Sequence, residues 1–274
     1  MDLILHLGAH RTGTTALQKV LQARRRLLKL SGVQVLGPSA LRSTGWALPE
    51  RGTGISRAVL SDENLIGTMF GNFTSSALYP RAAVKLAELA ERLPVAPREI
   101  FFAIRNYADY WVSAYSHQIL FQKLPRLDAA RLSASAERWG WSATLSAITR
   151  AFPEARLRVW RYGAEAGMIP GVMAEMIGIR LARRMPPPPE RLNSSLSAAA
   201  LAQFANVAEA ERALPEGKRL SAIAALRSIP GPAIDPFGPD LRQRMNEAFE
   251  AEWQDLVRGA LSGVETFDPV ASAP

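Results

Sequence analysis

Short apolar runs alternate with longer segments of helical spacing along most of this chain. This alternation predicts parallel strands that are connected by helices. The predicted strands cover residues 3–7, 33–36, 57–61, 99–104 and 157–160. The predicted helices of the same region cover residues 14–30, 79–93, 107–122 and 134–151. We therefore predict an α/β fold with a parallel sheet flanked by helices.

Two breaks interrupt this alternation. Residues 37–56 are rich in Gly, Pro, Ser and Thr without periodicity, so we predict a long loop there. The prolines at 186–189 predict an extended connector. Helices are predicted beyond it at 197–213, 220–227 and 239–261, the last with a packing face. The simplest organisation is a single domain, 1–274, with an α/β core in 1–185 and a lid loop and C-terminal helices in 186–274.

Composition excludes several classes of protein. With 274 residues, 48% hydrophobic and 21% charged, the chain can bury a substantial core and is not disordered as a whole. It has no apolar run of transmembrane length and no visible signal peptide, so we expect a soluble, cytoplasmic protein. The absence of cysteine excludes disulfides, a thiolate zinc site and a cysteine nucleophile. Only three histidines are present, which leaves little for a histidine-based metal centre, and no metal is expected.

The charge balance indicates which sign of charge a ligand would carry. The chain has 33 Lys and Arg against 25 Asp and Glu, a formal net charge of +8. This excess favours anionic partners such as nucleotides, phosphate or sulfate esters, acidic glycans, nucleic acid or a membrane surface. On charge alone, a solvated basic surface is the simpler explanation. No nucleic-acid-binding motif is recognisable, so no nucleic acid partner is expected.

The segment between the first predicted strand and helix has the glycine spacing of a phosphate-binding loop. Gly8 and Gly13 match G-x-x-x-x-G, and Thr14 and Thr15 open the helix. Glycines let several backbone N–H groups point inward, and the helix N-terminus adds positive potential. Thr14 stands where nucleoside triphosphatases of this type have lysine, and the cation is instead Arg11. A tight turn without a ligand is the alternative to an anion-binding role.

A second candidate anion site follows the predicted strand 99–104. Arg105 lies at its carboxyl end, where open α/β sheets bind ligands, and no aspartate for a Mg²⁺ ion stands there. Ser113 lies in the next helix and shares one face with Asn106 and His117. A guanidinium and a hydroxyl can hold a phosphate monoester at two points. Together with the first loop, this site indicates a ligand with two separated anionic groups.

These two motifs resemble those of sulfotransferases that use 3′-phosphoadenosine 5′-phosphosulfate (PAPS). Residues 8–15 resemble the family's 5′-phosphosulfate loop, K-T-G-T-T. Residues 105–107, followed by 113–115, resemble its 3′-phosphate site, R-[DN]-P-x(n)-S-x-Y, with Tyr107 in place of the proline. The resemblance covers residues 3–162. It implies a single sulfotransferase-like domain with a P-loop NTPase-like parallel sheet.

The resemblance implies a role for each matched residue. Arg11 takes the place of the lysine that contacts the sulfuryl and bridging oxygens, although an arginine does not give up a proton. Arg105 and Ser113 would bind the 3′-phosphate of PAPS, or of the product 3′-phosphoadenosine 5′-phosphate (PAP). The 5′-phosphate would be bound through backbone N–H groups and hydroxyls of Thr12, Gly13, Thr14 and Thr15.

Two further segments resemble the family less specifically. Tyr162 follows the strand 157–160, where the family often has a tyrosine near the adenine; an aromatic side chain that plugs the sheet end is the alternative. Residues 191–197 resemble a loop that folds over the nucleotide, with Asn193 and Ser195 as candidate contacts. A helix cap at Ser195 or Ser197 is the alternative there.

Sulfuryl transfer depends on positioning and charge stabilisation, and a hydroxyl acceptor benefits from a general base. In the family this base is a His or a Glu. Glu63, which follows the strand 57–61, is the first candidate, Asp62 the second and His10 the third. The alternative for the acidic pair is a capping motif with Ser61 as the N-cap.

The acceptor is expected to be a hydroxyl or amine on a glycan or small molecule. Its walls are predicted in the loop around Trp46, Arg51 and Arg57 and in residues 118–131. Two other functions stay open. One is a Mg²⁺-dependent P-loop kinase or nucleotide hydrolase with a degenerate Walker motif, and the other is a non-catalytic polyanion-binding protein.

Overall fold

The chain forms a parallel sheet of six strands with helices on both faces, seen in a computed structural model. The structure describes residues 1–44, 48–49, 52–120, 140–163, 168–188, 196–203, 221, 225–232 and 234–274, with backbone alone at 42–44 and 119–120. The strands are β1 (Asp2–His6), β2 (Val33–Leu36), β3 (Arg57–Ser61), β4 (Glu99–Ile104), β5 (Arg156–Arg161) and β6 (Val264–Thr266). The helices are α1 (Thr14–Ala23), α2 (Arg25–Leu30), α3 (Pro38–Thr44), α4 (Met69–Ser75), α5 (Ala82–Arg92), α6 (Tyr107–Leu120), α7 (Trp141–Ala151), α8 (Met168–Ile177), α9 (Ile179–Ala182) and α10 (Gly238–Val257), with a 3₁₀ turn at Glu63–Leu65.

The strand order is β2-β3-β1-β4-β5-β6, and all neighbours pair in parallel. The predicted α/β fold with a parallel sheet flanked by helices is therefore confirmed. The strands β2, β3 and β4 have the predicted bounds, β1 begins and ends one residue earlier, and β5 is one residue longer at each end. These strands were predictable because a strand buried on both faces is a continuous apolar run.

Each strand contributes side chains to two apolar layers. Leu3 and Leu5 of β1 pack with α5, α6, α7 and α10, whereas Ile4 packs on the other face with α1, α2 and α8. This division follows from the two-residue period of a strand. No helix of the described residues is long and apolar enough to cross a membrane.

Three helices predicted in the α/β part are wrong in their bounds. The predicted helix 134–151 does not extend through Gly140, which has a φ of 143°, and α7 begins only at Trp141. Residues 14–30 form α1 and α2 rather than one helix, because the backbone of Arg24 leaves helical geometry, with φ −119° and ψ 22°. The predicted helix 79–93 begins only at Ala82. Its start is displaced because Tyr79 has a left-handed φ of 45°, which ends or precedes a helix rather than continuing it.

Other elements have no counterpart in the sequence prediction. The predicted loop 37–56 contains α3, and α4, α8 and α9 lie in stretches with no predicted structure. The C-terminal extension adds the strand β6, which has too few residues for a periodic signal. The last predicted helix, 239–261, runs from Gly238 to Val257. The predicted segments 134–139, 204–213 and Pro189 lie outside the described residues.

The order of the strands reverses at β1. The chain runs outward from β1 to β2, returns to β3 beside β1, and then crosses to β4 on the other side of β1. Open sheets bind ligands at the carboxyl ends of their strands next to such a reversal. The strands β1, β3 and β4 lead there into Leu7, Asp62 and Arg105, so the candidate segments share one edge of the sheet.

The C-terminal helix α10 supports this edge through one carboxylate. Glu252 accepts hydrogen bonds from the backbone N–H groups of Trp141 and Ser142 at 3.2 and 2.7 Å, and also from the hydroxyl of Tyr107. It therefore stabilises the first turn of α7, where a negative charge is favourable. The indole Nε1 of Trp141 in turn donates to the carbonyl of Arg105 at 2.9 Å. Burial raises the pKa of the Tyr107 hydroxyl, so it stays a donor.

The C-terminal tail passes directly over α8 at Gly171. A Cβ added there would lie 1.5 Å from the carbonyl oxygen of Pro269. We expect Gly171→Ala to lower the free energy of unfolding by about 1–3 kcal/mol or more, because the tail must move off the helix. Urea denaturation measures the change.

Gly71→Ala in α4 is the matched control, since its added Cβ meets nothing nearer than the Thr68 hydroxyl at 3.3 Å. There the change in stability should be small, because the helix preference of alanine over glycine, about 1 kcal/mol, offsets the cost of this tight contact. A Gly171→Ala variant as stable as the unchanged protein would contradict the tail contact.

Candidate anion-binding site

The loop between β1 and α1 curls through three residues with left-handed backbone. Gly8, Arg11 and Gly13 have φ values of 37°, 68° and 79°. At Gly8 a side chain is also excluded by space, because a Cβ would lie 2.8 Å from the hydroxyl of Thr14. The N–H groups of Leu7 and Gly8 donate to the carbonyl of Phe101 in β4 at 3.1 and 3.4 Å. The loop is thus attached to the neighbouring strand at its start.

The end of this loop presents donors that the described part of the chain does not use. The backbone N–H groups of Thr12, Gly13, Thr14 and Thr15 donate to no residue that the structure describes. The hydroxyl of Thr14 is buried and also has no partner there. Donors converging at a helix N-terminus form an anion-binding concavity. The residues present therefore fit a phosphate group.

The hydroxyl of Thr12 has a different function. It donates to the carbonyl of Ala9 at 2.5 Å, within the loop. Of the three threonine hydroxyls assigned to the 5′-phosphate, that of Thr14 is the buried one without a partner among the described residues. Thr12 contributes its N–H, and its hydroxyl stabilises the turn.

Arg105 connects the end of β4 to the loop. Its Nη1 donates to the carbonyl of Arg11 at 2.6 Å, although the two residues are 94 positions apart in the sequence. Its guanidinium lies over the ring of Tyr162, 5.2 Å from the centroid. The same ring lies 3.2 Å from the position of a Cβ on Gly13. Arg105, Tyr162 and the loop therefore form one cluster.

The side chain of Arg11 reaches α6, where its Nε donates to the hydroxyl of Ser113 at 2.9 Å. The two predicted anion sites, which we expected at separate ends of a ligand, are therefore in direct contact. Burial, together with the charges of Arg105 and Arg227, lowers the pKa of Arg11 to about 10. All three guanidinium groups remain charged at neutral pH, so an anion between them would relieve their repulsion.

Asn106 does not join the face that the helical spacing predicted. Its Oδ1 accepts from the backbone N–H of Ala108 at 3.0 Å, which makes it a cap of α6. Its Nδ2 donates to Asn246 of α10 at 2.9 Å. Asn106 therefore stabilises the helix start behind Arg105.

His10 is held by a tyrosine that sequence analysis missed. The hydroxyl of Tyr79 accepts from the backbone N–H of His10 and donates to its Nδ1, both at 2.7 Å. The two rings also stack, with centroids 5.8 Å apart. The left-handed backbone of Tyr79 is the reason that its ring reaches the loop, and no sequence pattern reports that conformation.

The second nitrogen of His10 is also occupied. Its Nε2 donates to Oδ1 of Asn64 at 3.3 Å, and Nδ2 of Asn64 donates to Oδ1 of Asp62 at 2.8 Å. Burial lowers the pKa of His10 to about 4, so it is neutral at pH 7. In this arrangement His10 positions the loop, since neither ring nitrogen is open to a substrate proton.

The 3₁₀ turn after β3 is capped by Asp62 and not by Ser61, which was the N-cap in the alternative interpretation. Asp62, rather than Ser61, is the N-cap of the 3₁₀ turn, because its Oδ1 accepts from the N–H of Asn64 at 2.9 Å. The hydroxyl of Ser61 lies 2.8 Å from Nδ1 of His6, another buried histidine. Asp62, the second candidate base, is thus engaged in capping this turn through Asn64.

Glu63 is mostly buried at the carboxyl edge of β3. Its Oε2 accepts from Nε2 of Gln18 on α1 at 3.2 Å, which links it to the helix that begins at the loop. Burial raises the pKa of its carboxyl group above the usual range, and the charge of Asp62 adds to this. A carboxylate whose pKa is moved toward neutrality is a better general base.

Several predicted positions do not lie at this site. Arg57 begins β3 at the opposite edge of the sheet, where it donates to the carbonyl of Met176 at 3.0 Å, so it is wrong as a wall of the acceptor site. Asn193, Ser195, Trp46, Arg51 and residues 121–131 lie outside the described residues, and their roles stay predictions. Within the described ranges, no group of three or more His, Asp or Glu side chains could hold a metal ion.

Comparisons with known proteins give one distant likeness. No protein-family model matches the chain, and no curated protein matches it. A solved structure described as a sulfotransferase from Alicyclobacillus acidocaldarius is similar over 82% of this chain and 95% of that chain. The identity is 14% and the TM-score 0.38. At these values the likeness assigns no function to this chain.

Two buried histidines predict how stability depends on pH. Burial lowers the pKa of both His6 and His10 from 6.5 to about 4. Between these values the unfolded chain binds more protons than the folded one, so stability is lost as the pH falls. We expect the free energy of unfolding to decrease from pH 6.5 to 4, by up to roughly 3 kcal/mol for each histidine.

Urea denaturation across this pH range measures the decrease in the free energy of unfolding. The variant His10→Gln separates the contribution of the histidine from that of titrating carboxylates. The variant should show a shallower decrease than the unchanged protein. Parallel profiles for the two proteins would mean that His10 is not buried in its neutral form.

Proposed function

We propose that this protein is a sulfotransferase that moves a sulfuryl group from PAPS to a hydroxyl or amine of a glycan or small molecule. One observation carries the proposal: Arg105 donates to the carbonyl of Arg11 in a loop whose last four N–H groups have no partner among the described residues. Two basic side chains and a group of backbone donors without partners among the described residues thus meet at the reversal point of the sheet. That arrangement suits a small ligand with several anionic groups.

The binding of the donor follows from these contacts. The N–H groups of the loop and the hydroxyl of Thr14 would bind the 5′-phosphate, and Arg105 with Ser113 would bind the 3′-phosphate. Tyr162, beside both Arg105 and Gly13, would contact the nucleoside between them. Apart from its bond to Arg11, Arg105 has no hydrogen-bonded or ion-paired acceptor among the described residues, so its other N–H groups can bind phosphate.

PAPS supplies an activated sulfur atom with a phosphate leaving group. The acceptor oxygen or nitrogen forms a bond to this sulfur while the bond from sulfur to the 5′-phosphate oxygen breaks, and the acceptor loses its proton. Arg11 would stabilise the negative charge that develops on the leaving oxygen. Because its pKa is lowered only to about 10, it stays protonated at neutral pH and supplies a positive charge.

The acceptor proton would pass to Glu63. Its position after β3, beside β1, brings it to the edge that holds the loop, and burial raises its pKa in the direction that favours a general base. Asp62 and His10 are weaker candidates, since both are engaged in the chain of hydrogen bonds through Asn64.

Calorimetry with PAP tests the donor site. We expect PAP to bind in EDTA, and Arg105→Ala to weaken it ten- to hundred-fold, which corresponds to about 1.5–3 kcal/mol for a hydrogen bond to a charged group. Adenosine 5′-phosphosulfate, which lacks the 3′-phosphate, should lose much less affinity.

Arg161→Ala is the matched control, because Arg161 ends the neighbouring strand β5 and pairs with Glu250 instead. It should leave the affinity for PAP unchanged. No detectable heat with PAP would overturn the proposal, and ATP turnover that requires Mg²⁺ would favour a P-loop kinase. If Arg105→Ala lowered the affinities for PAP and adenosine 5′-phosphosulfate equally, Arg105 would support the loop and would not bind the 3′-phosphate.

Replacement of the proposed base separates chemistry from binding. Glu63→Gln should lower turnover by about 10²–10⁴, the range for a lost general base, with nearly unchanged affinity for PAP. In the unchanged protein, turnover should rise with pH through the raised pKa of Glu63, and this rise should vanish in the variant.

Labelled PAPS with a panel of hydroxyl and amine acceptors provides the assay. Glu91→Gln, at an exposed position of α5, is the control and should have full activity. Full turnover in Glu63→Gln would remove this residue from the mechanism.

A further inference from the structure

Seven basic side chains form an exposed surface away from the candidate site. They come from the junction of α1 with α2 and from the region of α9, and all are exposed. We call them the basic surface: Arg24, Arg25, Arg26, Lys29, Arg180, Arg183 and Arg184.

The basic surface concentrates positive charge without carboxylate partners. None of its seven side chains makes an ion pair or hydrogen bond with any other residue in the described ranges. By contrast, Arg98, Arg156 and Arg258 pair with carboxylates at 3.1, 2.8 and 2.7 Å. The sequence contains no Asp or Glu at all from residue 3 to 49. A concentration of one charge without internal partners is typical of a surface that meets an oppositely charged partner.

The two halves of the basic surface lie at the same edge of the sheet. The backbone N–H of Arg57, which begins β3, donates at 3.1 Å to the carbonyl of Gly32, just after α2. The guanidinium of the same residue donates at 3.0 Å to the carbonyl of Met176, near the end of α8 and just before α9. Leu28 of α2 and Ala182 of α9 belong to one apolar cluster beneath these helices. The two halves of the basic surface therefore lie near each other at the amino ends of the strands.

Two large apolar side chains are exposed on the same elements. Leu30 at the end of α2 is 89% exposed, and Ile179 at the start of α9 is 46% exposed. Exposed apolar side chains among basic ones are the composition of segments that lie on a membrane surface. No Phe, Trp or Tyr occurs in residues 16–36 or 177–188, so the surface lacks the aromatic platforms that stack on nucleic acid bases.

We propose that the basic surface docks this protein on membranes that contain anionic phospholipids. The arginines would attract the negatively charged headgroups, and Leu30 and Ile179 would enter the boundary between headgroups and acyl chains. The candidate site lies at the carboxyl ends of the strands, whereas Arg57 and both helix ends lie at their amino ends. Docking would therefore leave the candidate site away from the lipid surface.

Sedimentation with vesicles tests the proposal. The full chain should sediment with vesicles of phosphatidylcholine and phosphatidylserine, but not with phosphatidylcholine alone, and added salt should weaken the binding. The triple substitution R24A/R25A/R26A should weaken binding at least ten-fold. Leu30→Ser should weaken it several-fold, with no effect on binding to immobilised heparin, which has charge but no apolar interior.

The matched control is R81A/R150A/R244A, which removes three exposed arginines from other elements. It should bind vesicles as the unchanged protein does, and unchanged circular dichroism would establish that each variant is folded. Equal binding to both kinds of vesicle, or an equal loss in the control variant, would overturn the proposal. Binding to heparin or to double-stranded DNA without binding to vesicles would also overturn it, and would identify a soluble polyanion as the partner.

Discussion

The candidate site depends on one hydrogen bond, from the guanidinium of Arg105 to the carbonyl of Arg11. Arg11 has a left-handed backbone, so its carbonyl is turned away from the path of a regular helix and needs a partner from outside the loop. Arg105 supplies it from the end of β4 and so determines where the loop lies relative to that strand. The spacing between the proposed phosphate-binding groups follows from this contact.

The elements behind the site hold Arg105 and the loop from two sides. Glu252 of α10 caps α7, and Trp141 of α7 donates to the carbonyl of Arg105. Tyr79 holds the loop through both the backbone and the ring of His10. A site of this kind is preorganised, because its charged groups are positioned before a ligand arrives and need little rearrangement. The C-terminal helix is thus connected to the candidate site through α7.

The two edges of the sheet carry basic groups of different character. At the carboxyl edge, Arg11 and Arg105 are largely buried and bound to backbone and hydroxyl groups, which suits a small anion in a defined geometry. At the amino edge, the basic surface is exposed and has no partner in the described chain, which suits an extended, loosely ordered anion. In the functions that we propose, the net charge of +8 serves both the recognition of a small ligand and the attraction to a larger partner.

Much of the fold was predictable because strands buried on both faces are continuous apolar runs, and β2, β3 and β4 have the predicted bounds. The turn between β1 and α1 was predictable from Gly8 and Gly13, since only glycine accepts their backbone and space without strain. Three features could not be predicted from the sequence. They are the contact between Arg11 and Ser113, the contact of Tyr79 with His10, and the edge of the sheet on which Arg57 lies. Each of them depends on segments that are distant in the sequence. The contact of Tyr79 also depends on its left-handed backbone, and the position of Arg57 depends on the order of the strands. Local pattern determines which segments become strands and turns, whereas only tertiary packing decides which side chains meet at their ends.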